Sequence, residues 1–182
     1  MIKMDWQKED EDFLDSAANE LAEYLKSSVY DWPLSNTSIR LTPGRILFSL
    51  RRVSKSTPIA GNSINVLDGR FAEIIRQYPH AWVQKIELEY PRRLRVWENF
   101  IGDYTEEGLD KSYLAQIVNR VILTLLETES PITAARYENR VNLVDEKYQR
   151  LVRTGVFIWD AQLEPAFPKN EFWFLYDHPV KG

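Results

Sequence analysis

Ser112-Tyr-Leu-Ala-Gln-Ile-Val-Asn-Arg-Val-Ile-Leu-Thr-Leu-Leu-Glu127, followed by Thr128-Glu-Ser-Pro-Ile-Thr133, is the stretch whose reading decides the fold. Leu114, Ile117, Val118, Val121, Leu125 and Leu126 recur at the three- and four-residue spacing of one helix face. Ile122 widens that stripe, which predicts a helix buried on most sides. Pro131 disfavours helix in the residue before it, so Ser130-Pro131 is expected to end this helix. Thr133 can then cap a second helix over 134–141, Asn142 can turn the chain, and Asp145 can cap a third helix running to Arg153. Tyr148, Leu151 and Val152 give that third helix its apolar face, and Gly155 stands where a helix ends.

Beyond Gly155 the chain reads as two strands, Val156-Phe-Ile-Trp159 and Glu171-Phe-Trp-Phe-Leu-Tyr176. Successive side chains of a strand point to opposite faces, so Phe157 and Trp159 would oppose Val156 and Ile158. Likewise Trp173 and Leu175 would oppose Phe172, Phe174 and Tyr176. Both faces are apolar, whereas a hairpin wetted on one side alternates apolar with polar. This hairpin is therefore expected to be covered, by the N-terminal helices or by a partner chain, with Phe157, Trp159, Trp173 and Leu175 as interface candidates.

Thr133-Ala-Ala-Arg-Tyr-Glu-Asn-Arg-Val-Asn-Leu143 with Asp145-Glu-Lys-Tyr-Gln-Arg-Leu-Val-Arg-Thr-Gly-Val-Phe157 resembles the second and third helices of the winged helix-turn-helix superfamily. The resemblance covers about residues 112–177. It implies that the third helix reads nucleic acid and that the hairpin forms the wing. Opposite the core face of that helix lie Glu146, Gln149, Arg150 and Arg153, with Lys147 at the margin. Gln149, Arg150, Arg153 and Lys147 are the groups that would address phosphates or base edges. A fold of this kind serves many functions, so protein interaction through the same surface is the competing expectation.

Towards the N-terminus, Glu9-Asp-Glu-Asp12 opens a helix expected to reach about Ser27, with Phe13, Leu14, Ala17, Ala18, Leu21 and Leu25 on one face. Its carboxylates suit the positive end of the helix dipole. Val29-Tyr-Asp-Trp-Pro-Leu34 reads as an extended or turn segment. Thr42-Pro-Gly-Arg opens a second helix, with Thr42 as cap and Pro43 in the first turn. Ile46, Leu47, Leu50 and Val53 face inward there, while Arg45, Arg51, Arg52 and Lys55 share a stripe on the other side. Between Asp31 and Asp68 there is no acidic residue, so the charge is sharply segregated. Those four bases could clamp phosphates as an auxiliary contact. Pairing with the acidic first helix, or with Glu106 and Glu107, is the reading weighed above it.

Residues 66–77 predict a short helix. Pro79 starts another, carrying Trp82, Ile86, Tyr90, Leu94, Trp97 and Ile101, with Pro91 expected to kink or split it after Glu89. An aromatic stripe at this spacing is more often core than a stacking platform. The acidic, turn-rich 102–108 places the expected domain boundary at Gly108, giving a helical region 1–108 and a winged-helix domain 109–182.

Composition narrows the function classes. The 182 residues carry a net charge of −4, 44% hydrophobic and 27% charged residues, as in ordinary globular proteins. That balance argues against a protein coating nucleic acid with its whole surface, though not against a local basic patch. There is no cysteine, hence no disulfide and no thiolate metal site, which suits a cytoplasmic protein. The opening residues lead into acids rather than an apolar run, so no signal peptide is expected, and no apolar run approaches a membrane span. His80 and His178 are the only imidazoles, no nucleophile–base signature is present, and the seven glycines are scattered. The expectation is a mainly α, non-enzymatic regulator without metal, cofactor or small-molecule substrate. It would bind DNA or RNA, or assemble as a dimer or a larger complex through its winged helix.

Overall fold

The computed structural model describes residues 6–56, 61–107 and 113–179, and its described side chains leave out 55–56, 61–66 and 104–107. The chain is mainly helical, and no described helix is long and apolar enough to cross a membrane. It forms two compact units, Met1–Glu89 and Tyr90–Gly182, with the break inside a helix. The expected boundary at Gly108 lies outside the described residues.

In the first unit, α1 (Trp6–Lys26) buries Phe13, Leu14, Ala17, Ala18, Leu21 and Leu25, the face its spacing foretold, and adds Tyr24. Two residue pairs, β1 (Trp32–Pro33) and β2 (Arg40–Leu41), form a minimal antiparallel ribbon where the sequence read only an extended turn. Asp31 holds it by accepting from Arg40 Nε at 2.9 Å and Nη2 at 3.0 Å. Next comes α2 (Pro43–Ser56), capped as expected, with Thr42 Oγ1 accepting from Arg45 N at 3.2 Å. Two more helices follow, α3 (Gly61–Gln77) and α4 (Pro79–Glu107). Pro91 does not split α4, which continues through it. The apolar stripe of α4 is core: Trp82, Ile86, Tyr90, Leu94, Trp97 and Ile101 are all buried.

The second unit holds the rest of α4, α5 (Tyr113–Glu129) and α6 (Pro131–Gln149). Helix α5 is buried on most sides and stops before Ser130-Pro131, as its sequence requires. The next element differs from the expectation. Where two helices and a turn at Asn142 were foreseen, α6 is one unbroken helix. Nothing between 134 and 149 forbids this, since the segment holds neither proline nor glycine. Val141, Val144 and Tyr148 bury one continuous face across the supposed turn. Asp145 caps nothing; its carboxylate accepts from Arg120 instead. Thr133 is buried inside α6, its hydroxyl 2.8 Å from that of Ser130.

The hairpin is also displaced. The paired strands are β3 (Val152–Thr154) and β4 (Asp177–Pro179), with Arg153 opposite His178. Residues 156–159 form no strand, and Trp173–Tyr176 is a 3-10 turn. The chain is still pulled together there, with Gly155 N donating to Tyr176 O at 2.6 Å and Ile158 N to Leu175 O at 2.9 Å. The doubly apolar pattern explains the change. A strand would send alternate side chains to opposite faces, whereas the turn buries Phe174, Leu175 and Tyr176 together. Phe167, Phe172 and Phe174 then meet edge to face at centroid distances of 5.1 and 6.1 Å. Gly155 ends no helix; it lies beneath the His178 ring, which a side chain at 155 would strike.

Candidate functional site

The basic stripe of α2 is the first place to look, and two of its members are spoken for. Asp10, in the acidic opening of α1, is fully buried and accepts from Arg45 Nη2 at 2.8 Å and Ser49 Oγ at 2.9 Å. Arg52 Nε lies 3.1 Å from the same carboxylate. Phe48 is buried beside them, with both guanidiniums over its ring. Burial raises the Asp10 carboxyl above its ordinary value, opposed by Arg52 and then Arg45. Arg45 and Arg52 are therefore structural ions, as the pairing with the first helix anticipated, and do not face an outside phosphate. Arg51 is half-buried on the same helix, and the Lys55 side chain lies outside the described ones.

A second buried polar cluster in this unit escaped the sequence reading. Glu89 accepts from Thr42 Oγ1 and from Gly44 N, both at 2.7 Å, and so satisfies donors at the start of α2. Lys85, 3% exposed, donates to Ser27 O at 2.8 Å, Ser27 Oγ at 3.2 Å and Val29 O at 2.7 Å, sealing the end of α1. Burial lowers its ammonium below the usual lysine range. All three of its hydrogens have acceptors, so it is a helix cap rather than a poised nucleophile.

In the second unit, the reader-helix residues lie at the end of α6 and on β3. Lys147, Gln149, Arg150 and Arg153 are exposed, and none has a side-chain partner among the described residues. Of the four interface candidates, Phe157, Trp159 and Trp173 are half-buried. Leu175 is wholly buried and cannot meet a partner, because the 3-10 turn points it into the core. Phe157 packs on Tyr176, Trp159 on Phe167 and Trp173 on Tyr148. Part of the cover foreseen for the aromatic segment thus comes from its own rings and part from Tyr148 of α6.

What the sequence reading did not find is how much of α6 faces outward. Only Thr133, Val141, Val144 and Tyr148 of its 19 residues are buried. Ile132 is 74% and Leu143 58% exposed. Eleven residues apart, they project within roughly 20° of each other at 3.6 residues per turn. Asn139 falls between them on the same stripe and is exposed too.

Beside this stripe lies a cleft of about 370 Å³. Pro131, Ala134, Ala135 and Val141 of α6 give it an apolar wall, and Glu138 and Asn142 a polar rim. Tyr90, Arg120 and Glu127 form the opposite side. Arg120 and Glu127 are seven residues apart on α5, nearly in line along the helix. The Arg120 side chain is 8% exposed and donates to Asp145 from Nε at 3.0 Å and from Nη2 at 2.8 Å, and to Thr124 Oγ1 at 2.8 Å. Burial works against its charge, but Asp145 and Glu127 outweigh that and hold it protonated. Tyr90 donates to Glu127 at 2.9 Å, and Arg120 Nη1 is 3.7 Å from the same carboxylate. Burial raises the Glu127 carboxyl above its ordinary value, opposed by Arg120 and the Tyr90 hydroxyl. The sequence signal was Arg120 as the one basic residue of α5, set between the apolar Ile117-Val118 and Val121-Ile122-Leu123.

Among the described residues no group of three or more His, Asp or Glu is placed to hold a metal ion. His80 and His178 are exposed, and His178 Nε2 accepts from Val156 N at 3.2 Å. Comparison with family models, with curated proteins and with solved structures gave no match. Function has to be read from the side chains alone.

Proposed function

We propose that this protein is a non-enzymatic assembly subunit that pairs with a second copy of itself along the outward face of α6. The observation that carries the reading is the pair of exposed apolar residues on one stripe, Ile132 and Leu143. An isologous contact brings the same patch from both copies together. Two α6 helices laid antiparallel about the point between Tyr137 and Glu138 set Ile132 of each against Leu143 of the other, so the stripe is complementary to itself. Removing such side chains from water contributes on the order of 1.5–3 kcal/mol for each one fully buried. Four of them support a modest, reversible dimer. The test is the mass in solution of the full chain beside Leu143→Glu, which places a carboxylate at the contact and leaves the fold intact because the position is exposed. A dimer that the substitution dissociates supports the reading; a monomer throughout refutes it.

A second reading, binding of DNA or RNA as the winged-helix resemblance implied, keeps one observation in its favour. Lys147, Gln149, Arg150 and Arg153 are exposed near one another in sequence, with no side-chain partner among the described residues. Against it, bases at a helix C-terminus are favoured by the helix dipole alone. The separate third helix that would enter a groove is also missing, because α6 is continuous. Anisotropy titrations with random duplex and single-stranded oligonucleotides decide it. Binding that weakens steeply with salt and is lost on Arg150→Ala with Arg153→Ala favours this reading, and no binding at low salt ends it.

A further inference from the structure

We infer that the cleft between α5 and α6 is a binding site for a primary alkylamine, carried either by a small molecule or by a lysine side chain. The inference is independent of self-association, because the cleft lies beside the Ile132–Leu143 stripe and not on it.

The argument is one of charge and shape. A cleft of about 370 Å³ is within the range of ligand sites. Its one cation, Arg120, is already matched by Asp145 through Nε and Nη2. That leaves Glu127 and Glu138 facing the opening as surplus negative charge. Glu138 is exposed on the rim, with no partner among the described residues. Glu127 sits deeper, its side chain 30% exposed, with Arg120 only at the longer 3.7 Å. An ammonium could donate to both carboxylates, since it carries three hydrogens and they are acceptors. The alkyl stem would lie on Pro131, Ala134 and Val141, the arrangement by which lysine-like chains bury methylenes and keep the charged end at polar groups.

A carboxylate ligand fits badly. It would meet two carboxylates and a guanidinium whose fork is occupied. An uncharged apolar ligand would fill the wall while leaving the acids unanswered.

The test uses the full chain, isotope-labelled, titrated by NMR with three probes. These are n-butylamine, the capped pentapeptide Ala-Ala-Lys-Ala-Ala and the same peptide with norleucine in place of lysine. Saturable shifts of the Ala134, Ala135 and Asn142 amides by the lysine peptide or butylamine, absent with norleucine, are expected. Glu138→Gln should weaken binding by about tenfold, the scale of one lost hydrogen bond between charged groups. Glu127→Gln gives an independent variant should the first disturb the helix. Butylamine binding as well as the peptide identifies a free amine as the source; a clear peptide preference identifies a lysine side chain. Equal shifts with norleucine, binding unchanged in both variants, or no shift at millimolar probe would overturn the inference.

Discussion

Asp145→Ala is the perturbation whose outcome follows most directly from the geometry of the second unit. Asp145 on α6 receives two nitrogens of Arg120 on α5, at 2.8 and 3.0 Å, and the two side chains are only 14% and 8% exposed. Removing the carboxylate leaves a desolvated guanidinium with Thr124 at 2.8 Å and Glu127 at 3.7 Å as its remaining partners. Breaking one side of a buried pair costs about 3–5 kcal/mol, and the two surviving contacts place this case toward the lower end. Replacing both ions together, as Arg120→Met with Asp145→Leu, removes the stranded guanidinium and should recover part of the loss, Glu127 then keeping Tyr90 as its hydrogen-bond donor. Two compact units need not unfold in one step, so a single melting curve is a poor gauge. Native-state hydrogen exchange of α5 and α6 amides reads the loss where it occurs. A loss below about 1 kcal/mol for Asp145→Ala, the range of an exposed pair, would refute the reasoning. So would a double variant no more stable than the single one.

In the first unit, Asp10→Ala should cost about 3–5 kcal/mol by the same logic, because Arg45 and Arg52 lose a shared carboxylate that is fully buried; hydrogen exchange of α1 and α2 amides checks it. Phe172→Ala should cost about 3–5 kcal/mol, since the ring is 0% exposed and packs edge-on against Phe167 and Phe174; loss of exchange protection around Trp173–Tyr176 is the readout. Glu127 makes a pH prediction. Burial raises its folded pKa above the ordinary 4.5, so the folded state holds its proton more tightly than the unfolded chain does. Its contribution is full below that value and is lost as pH rises through the folded pKa. Glu127→Gln should therefore gain on the wild type between pH 4 and neutrality, measured by denaturant titration across that range. A constant difference at all pH values would contradict it.

The helices were legible where apolar spacing was unopposed. Phe13 to Leu25 and Trp82 to Ile101 bury the faces their spacing marks, and so do Ile117, Val121, Leu125 and Leu126 of α5, while Leu114 at the head of that stripe is exposed and Val118 half-buried. The supposed turn at Asn142 misled because asparagine and aspartate permit a turn without demanding one. Whether they turn is set by tertiary partners, and Arg120 claimed Asp145 from a helix 25 residues away in sequence. The aromatic segment misled for a related reason. A run apolar on both faces fits a fully buried strand, but it equally fits a tight turn that drops every ring into one core. Asp10 was unreadable as a buried ion because its neighbours Glu9, Glu11 and Asp12 look the same in sequence. Only the place of α2 against α1 singles it out. Arg45 and Arg52 were readable as paired, since acids of opposite sign stood nearby in the chain.

Sedimentation equilibrium of the full chain, wild type beside Leu143→Glu and Ile132→Glu, tests the proposed self-pairing of α6 most directly. At concentrations up to about 0.5 mM, where even weak association is populated, the wild type should approach twice the 21.4 kDa of one chain. Each glutamate variant should remain at the single mass with unchanged helical circular dichroism. A wild type that stays monomeric over that range, or a dimer indifferent to both substitutions, would contradict the account.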